Sequence, residues 1–261
     1  MARAAEGHVA PAEAGQGSGD RVSVVIPALN EAQNIPHVLR EVPELVDEVV
    51  LVDGGSDDGT VEAALAARPD IKIVQQTGRG KGNALTCGFA ACSGDIVVMM
   101  DADGSTDAGE IPRFVEALKR GADMAKGSRF TAGGGSSDIT PVRKAGNLLL
   151  CALVNTLFGT RYSDLCYGYA AFWRRSIRRL AIDCDGFEVE TLISIRSAKA
   201  RLRVVEVPSF ERNRLYGESN LHAVRDGCRV LRTIVRERLS TPWREPLDAV
   251  EPAAVASGEP A

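Results

Sequence analysis

Short apolar runs alternate with amphipathic stretches along most of the chain. Residues 22–26, 48–52, 71–74 and 96–100 are dominated by Val, Ile, Leu and Met, the pattern of strands buried on both faces of a parallel sheet. Between them, residues 31–41, 60–68, 82–92 and 110–120 have the length and periodicity of crossover helices. Together they predict an α/β fold with a doubly wound sheet. From residue 122 the pattern loosens. It predicts a strand at 124–126, a Gly/Ser-rich loop at 131–140, a helix at 141–158, an extended piece at 169–173, a helix at 188–200, a strand at 203–207 and a last helix ending near 239. Residues 1–20 and 240–261 are aperiodic and rich in small residues, Pro and Glu, and are expected to be disordered tails. That leaves one domain over 21–239, with halves 21–121 and 122–239.

The chain has 261 residues, of which 44% are hydrophobic and 25% charged, which excludes a disordered or fibrous protein. A net charge of -4 argues against nucleic acid as a partner, so any anion site must be local. The six cysteines are irregularly spaced, without a C-x-x-C pair, and are expected to be reduced, mostly buried thiols. No apolar run approaches the ~18 residues of a membrane span, and no signal-peptide core is visible at the start. A cytoplasmic location is expected, with peripheral contact to the inner membrane face left open.

Ligands of doubly wound sheets bind outside the carboxyl ends of the strands. Asp101 and Asp103 follow the run IVVMM directly. Adjacent carboxylates at a strand end suit a hard divalent cation that bridges to a diphosphate; alternatively Asp103 or Asp107 caps the next helix. Asp53 closes the second strand and could accept hydrogen bonds from a nucleobase or ribose, whereas Asp57 and Asp58 are expected to cap a helix. Asn30 and Gln33 fit a capping box, and Glu31 shares their edge. Gly78-Arg79-Gly80-Lys81-Gly82-Asn83 lacks the spacing and the Ser or Thr of an ATPase loop. Its glycines would let the backbone approach a ligand, with Lys81 as a partner. In the last helix Leu221, Val224, Cys228, Leu231 and Val235 form an apolar stripe beside Arg225, Arg229, Arg232 and Arg236. Such a helix either lies on an anionic membrane or packs its stripe on the core.

The segments VVIPALNEAQNI, EVVLVDGGSDDGT, GRGKGNAL, MMDADGS, AKGSRF, residues 164–168 and EVPSFERNRLYGESNL, taken in order, resemble the family-2 glycosyltransferases of GT-A fold. Within them they resemble the dolichyl- and polyprenyl-phosphate sugar transferases. The resemblance implies a single, mostly parallel sheet with a Rossmann-like nucleotide-binding half and a smaller acceptor-binding half. It implies a nucleoside diphosphate sugar held by Pro27, Glu31, Asp53, Lys81 and Asp101, with Mg or Mn ion on Asp101 and Asp103. Arg129, Arg143, Arg214 and Ser219 would meet the acceptor phosphate and the diphosphate. Asp164 would be catalytic, as base or as positioner of the acceptor. Glu188 and Glu190 match an acidic pair of the family. Cys166, Tyr167, Ala170 and Asn147 depart from its usual residues.

The expected reaction is inverting, metal-dependent transfer of a sugar to a polyprenyl phosphate at the cytoplasmic membrane surface. The alternative is a soluble transferase of the same fold acting on a small-molecule or saccharide acceptor. A sugar nucleotidyltransferase is disfavoured because PALNEAQN lacks a Gly-rich, Arg-containing loop. A catalytically silent sensor is disfavoured by the presence of Asp101, Asp103 and Asp164.

Overall fold

The computed structural model describes residues 19–218 and 222–240. Nearly all of both expected tails, together with Ser219 and Leu221, lie outside them. Four β-strands, β1 (Val22–Ala28), β2 (Glu48–Asp53), β3 (Lys72–Gln75) and β4 (Ile96–Met99), form the parallel half of a seven-stranded sheet. The remaining strands are β5 (Met124–Ser128), β7 (Ala170–Trp173) and β8 (Val204–Pro208), in the order β3-β2-β1-β4-β7-β5-β8. Only β7 runs antiparallel to its neighbours, pairing Met99 with Ala170 on one side and Lys126 with Ala170 on the other. Two short strands, β6 (Gly135–Ser136) and β9 (Phe210–Glu211), make a separate parallel pair. The fold is therefore α/β with one large, mostly parallel sheet.

The helices are α1 (Ile35–Glu41), α2 (Thr60–Ala67), α3 (Gly80–Ala91), α4 (Ile111–Lys119), α5 (Pro141–Phe158), α6 (Arg174–Arg178), α7 (Val189–Lys199) and α8 (Ala223–Leu239). Helices cover both faces: α1 and α4 close one apolar cluster around Ile26, Leu51, Phe114 and Tyr169, and α3 and α7 close another around Val25, Leu85, Phe172 and Ile193. Helix α5 begins behind Thr140, whose side chain accepts from Arg143 N, with Pro141 in its first turn, and ends at Gly159 in the left-handed region. Both signals are local, which is why sequence placed both ends correctly.

Local expectations fail where distant loops compete for the same groups. Asn30 does not cap a helix: it sits at φ 57°, and its side chain accepts from Asp57 N at 3.0 Å. Helix α1 consequently starts four residues later than the apolar spacing suggests, at Ile35. Asp58 binds Thr60 N and also Ala32 N, both at 3.0 Å, so it joins the loops after β1 and β2 rather than serving as the N-cap, which is Gly59. Of the six thiols, all free, only Cys92 and Cys151 are buried, and Cys228 is exposed.

The last helix corrects one alternative. The face of α8 turned inward carries Asp226, Val230, Thr233, Ile234 and Glu237, all buried. The stripe of Val224, Cys228, Leu231 and Val235 points outward, with Val224 81% exposed. The cause lies on α7, where buried Arg196 and Lys199 both bind Glu237 at 2.9 Å. A buried guanidinium needs a carboxylate, and this one turns the Glu237 face inward.

Candidate active site

The carboxyl ends of β1 and β4, the start of α3 and the chain preceding β7 enclose a cavity of about 910 Å3. Pro27, Glu31, Lys81, Asp101, Asp103, Arg143 and Arg214 all line it. Asp53, Arg129 and Asp164 lie behind its wall, each at most 4% exposed. Ser219 is outside the described residues.

Asp101 and Asp103 each face a cation. Lys81 Nζ lies 2.5 Å from Asp101 Oδ1 and 2.7 Å from Glu190 Oε1. Arg214 Nη1 lies 3.3 Å from Asp103 Oδ2, while Nη2 donates to Glu31 and Nε donates to Tyr216 O at 2.7 Å. Burial, with Asp103 and Glu190 nearby, pushes the Asp101 carboxyl up to about 6, even though Lys81 pulls it down. Burial opposes the charge of Lys81, but Asp101 and Glu190 overcome it and raise its pKa above the ordinary lysine value. Burial also raises Glu31, against the opposing pull of Asn34 and Arg214. Gly168 makes the cluster around Lys81 possible: a Cβ there would lie 2.7 Å from Asp101 Oδ2 and 2.9 Å from Glu190 Oε1.

Behind the wall, Arg129 grips Asp164 with Nε at 2.7 Å and Nη2 at 2.9 Å. Its Nη1 meets both oxygens of Glu211 at 3.1 Å. Burial would raise the Asp164 carboxyl, but the Arg129 fork outweighs it and holds the group below the usual carboxylate range. Asn147 accepts from Leu165 N at 3.0 Å and Cys166 N at 3.3 Å, fixing the segment that carries Asp164. Arg143 binds Asp138 at 2.7 Å and stays partly open to the cavity. Asp53 is occupied by its own turn, accepting from Gly55 N at 3.1 Å, Ser56 N at 3.2 Å and Gln75 Nε2 at 3.2 Å.

Several lining residues carried no site expectation. Glu211 lines the cavity and links Arg129 to Arg143, whose Nη2 is 3.9 Å away; its one sequence signal was a lone acid in the run FERNR. Arg79, His222, Arg225 and Arg229 also line it, drawn from a turn and from a helix that no local pattern brings together.

The family model described as Glycosyl transferase family 2 matches residues 23–181, and the chain belongs to that family. It is a glycosyltransferase. It is 32% identical over 213 residues to an undecaprenyl-phosphate mannosyltransferase of Micrococcus luteus, covering 77% of this chain and 87% of that one. It is likewise 32% identical over 237 residues to a polyprenol monophosphomannose synthase of Mycolicibacterium smegmatis, covering 81% and 88%. Among solved structures it resembles glucosyl-3-phosphoglycerate synthase of Mycobacterium tuberculosis in complex with Mn2+, UDP and glucosyl-3-phosphoglycerate. That match has a TM-score of 0.68 and 27% identity, over 84% of this chain and 80% of that one. The fold is thus that of the GT-A glycosyltransferases.

Proposed function

We propose that the chain moves a sugar from a nucleoside diphosphate sugar to a polyprenyl phosphate, inverting the anomeric centre, with Mg or Mn ion held by Asp101 and Asp103. The observation that carries this reading is one cavity lined together by Asp101 and Asp103, by Arg214 paired with Asp103, by Arg143, and by Arg225 and Arg229 of α8. Relatives named for undecaprenyl-phosphate and polyprenol substrates support the acceptor class.

The donor set fits such an ion. Two carboxylates converge, and among the described residues no group of three or more His, Cys, Asp or Glu completes a protein cage. A hard cation that keeps waters and takes further ligands from phosphate oxygens suits two carboxylates. When bound, it would withdraw electrons from the departing diphosphate. The chain's own residues do the rest. Lys81, fixed by Asp101 and Glu190, offers protons to phosphate oxygens. Arg214 exchanges Asp103 and Glu31 for the diphosphate, and Arg143 presents its planar fork to the acceptor phosphate. An acceptor oxygen forms the new bond to the anomeric carbon as the old carbon–oxygen bond breaks, its electron pair leaving with the nucleoside diphosphate. A phosphate monoester, with a second pKa of about 6, is already largely ionised near neutrality. Asp164, paired with Arg129 out of the cavity, therefore serves as a positioning residue and not as a base.

The outward apolar stripe of α8 continues the reading to the membrane. Exposed Val142, Leu148 and Leu149 on α5 lie on a helix packed against α8, and the arginine flank suits anionic headgroups. No helix among the described residues is long and apolar enough to cross a bilayer, so contact would be interfacial.

The test offers a panel of nucleotide sugars with or without a detergent-solubilised polyprenyl phosphate, in divalent metal or in chelator, and measures nucleoside diphosphate release. Lipid-dependent, chelator-sensitive release is expected; full turnover in chelator overturns the metal role. Solved relatives bound to phosphoglyceric acid favour one second reading, a small phosphorylated acceptor. Phosphoglycerate in the same panel decides it: turnover there, without lipid, replaces the lipid reading.

A further inference from the structure

A second cavity, of about 510 Å3, adjoins the first across a wall that includes Gly80 and Gly186, which line both. The wall is backbone. Gly82 N donates to Asp185 O at 2.8 Å, and a methyl group on Gly80 or Gly82 would strike the carbonyls of Asp185 or Cys184. Arg79, at the N-cap of α3, and Arg229, Arg232 and Arg236, along one flank of α8, converge on this space.

Asp183, Asp185 and Glu188 also line it. Asp183 is already shared between Arg196 at 2.7 Å and Arg236 at 3.3 Å. Glu188 Oε1 accepts from Gly186 N at 3.3 Å while its Oε2 is buried without a partner, and Arg229 stands 3.6 Å from Asp226, so four guanidinium groups face three carboxylates in this space. The side chains of Arg79 and Arg232 form no hydrogen bond or ion pair among the described residues. Two guanidinium groups without carboxylates, facing one concave space with a rigid backbone wall, have the fork geometry that recognises phosphate oxygens.

We infer that this cavity binds a phosphate group, as monoester or diester, at a site separate from the donor cavity. The site stands on its own geometry, whichever acceptor the first cavity takes. Arg79 and Arg229 line both spaces, so an anion held here draws on two cations that also face the donor. The arginine flank adjoins the outward apolar stripe of α8, which gives a lipid headgroup access along the surface; a soluble phosphate ester reaches the same cations from solvent.

The experiment titrates the full chain with inorganic phosphate at low salt by calorimetry, as wild type, Arg232→Ala, Arg232→Lys and Arg143→Ala. Arg232 lines only the second cavity and Arg143 only the first. Wild type should show two classes of site. Arg232→Ala should weaken one of them about tenfold or more while leaving nucleoside diphosphate affinity unchanged. Arg232→Lys should restore part of the loss, and Arg143→Ala should retain that class. Identical titrations for wild type and Arg232→Ala overturn the site. Because exposed Arg232 has no partner to lose, its removal should leave the melting temperature unchanged, so lost binding reads as a lost site. Vesicles of phosphatidylglycerol in phosphatidylcholine then name the source: competition with phosphate for the Arg232 class identifies a headgroup, and its absence identifies a soluble phosphate. Wild type failing to bind any vesicle would sink the membrane reading of α8 while leaving the phosphate titration to decide the site.

Discussion

Two sets of ion pairs meet at the cavity wall, and they differ in what surrounds them. Arg129 and Asp164 are sealed on all sides, with side chains 2% and 0% exposed, and every strong contact of the guanidinium is to the protein. The pairs of Lys81 with Asp101 and Arg214 with Asp103 stand in the cavity itself, where both carboxylates keep a quarter or so of their surface open. A sealed pair cannot trade partners without leaving a bare charge in low dielectric. A pair on a cavity wall can, because the incoming ligand supplies the replacement charge. The first set holds shape, and the second is the one available to substrate.

The sharpest way to break this contrast is Asp164→Ala, which removes one of the two carboxylates that hold buried Arg129 and leaves its guanidinium to Glu211 and Cys166 O alone. It should lower unfolding free energy in urea by about 3–5 kcal/mol; a loss no larger than that of an exposed pair would mean the seal is not what matters. Asp103→Ala should do the reverse. Turnover should fall by roughly 10²–10³, the scale of losing one charge-stabilising group, with a urea midpoint close to wild type. Gly168→Ala probes the open set without touching a charge. Its new methyl group would press on the Lys81 cluster, and a displacement near 1 Å should cost about 10² in rate, read as kcat with the melting temperature nearly unchanged.

Acid should sort the two sets as well. Asp164 titrates below its unfolded value, so its stabilisation is complete above the ordinary carboxylate pKa and fades as pH falls through the lower folded one. Asp164→Asn should accordingly flatten the acid limb of the stability curve. The smallest effect concerns α8. Leu231→Glu should leave stability within about 0.5 kcal/mol and reduce flotation with anionic liposomes; unchanged flotation would return that stripe to an ordinary wet surface.

The strands that build the donor edge were legible because their apolar runs have one solution, burial on both faces. The Asp101 and Asp103 positions followed from topology alone. Helix α5 was legible at both ends through Thr140, Pro141 and Gly159. What sequence did not reveal depended on partners far along the chain. Asn30 is claimed by the β2–α2 loop across 27 residues, so its capping pattern was outbid. The rotation of α8 is set by Arg196 and Lys199 on another helix, and its periodicity gave two faces without saying which packs. Asp164 carried two readings, base or positioner of the acceptor, and nothing local reveals that Arg129 grips it or that Asn147 fixes its segment.

The reversed direction of β7 has an effect beyond the sheet. Parallel strands deliver their last residues to the upper rim, whereas a strand running the other way delivers what comes before it, here Cys166, Tyr167 and Gly168. That stretch stands directly beside the acidic pair: a Cβ on Gly168 would lie 2.7 Å from Asp101 Oδ2. The same stretch also touches the sealed pair, since Cys166 O accepts from Arg129 Nη2 at 3.0 Å and the Tyr167 ring centre lies 5.0 Å from the Arg129 guanidinium, so one reversed strand ties the chamber wall to both ionic sets.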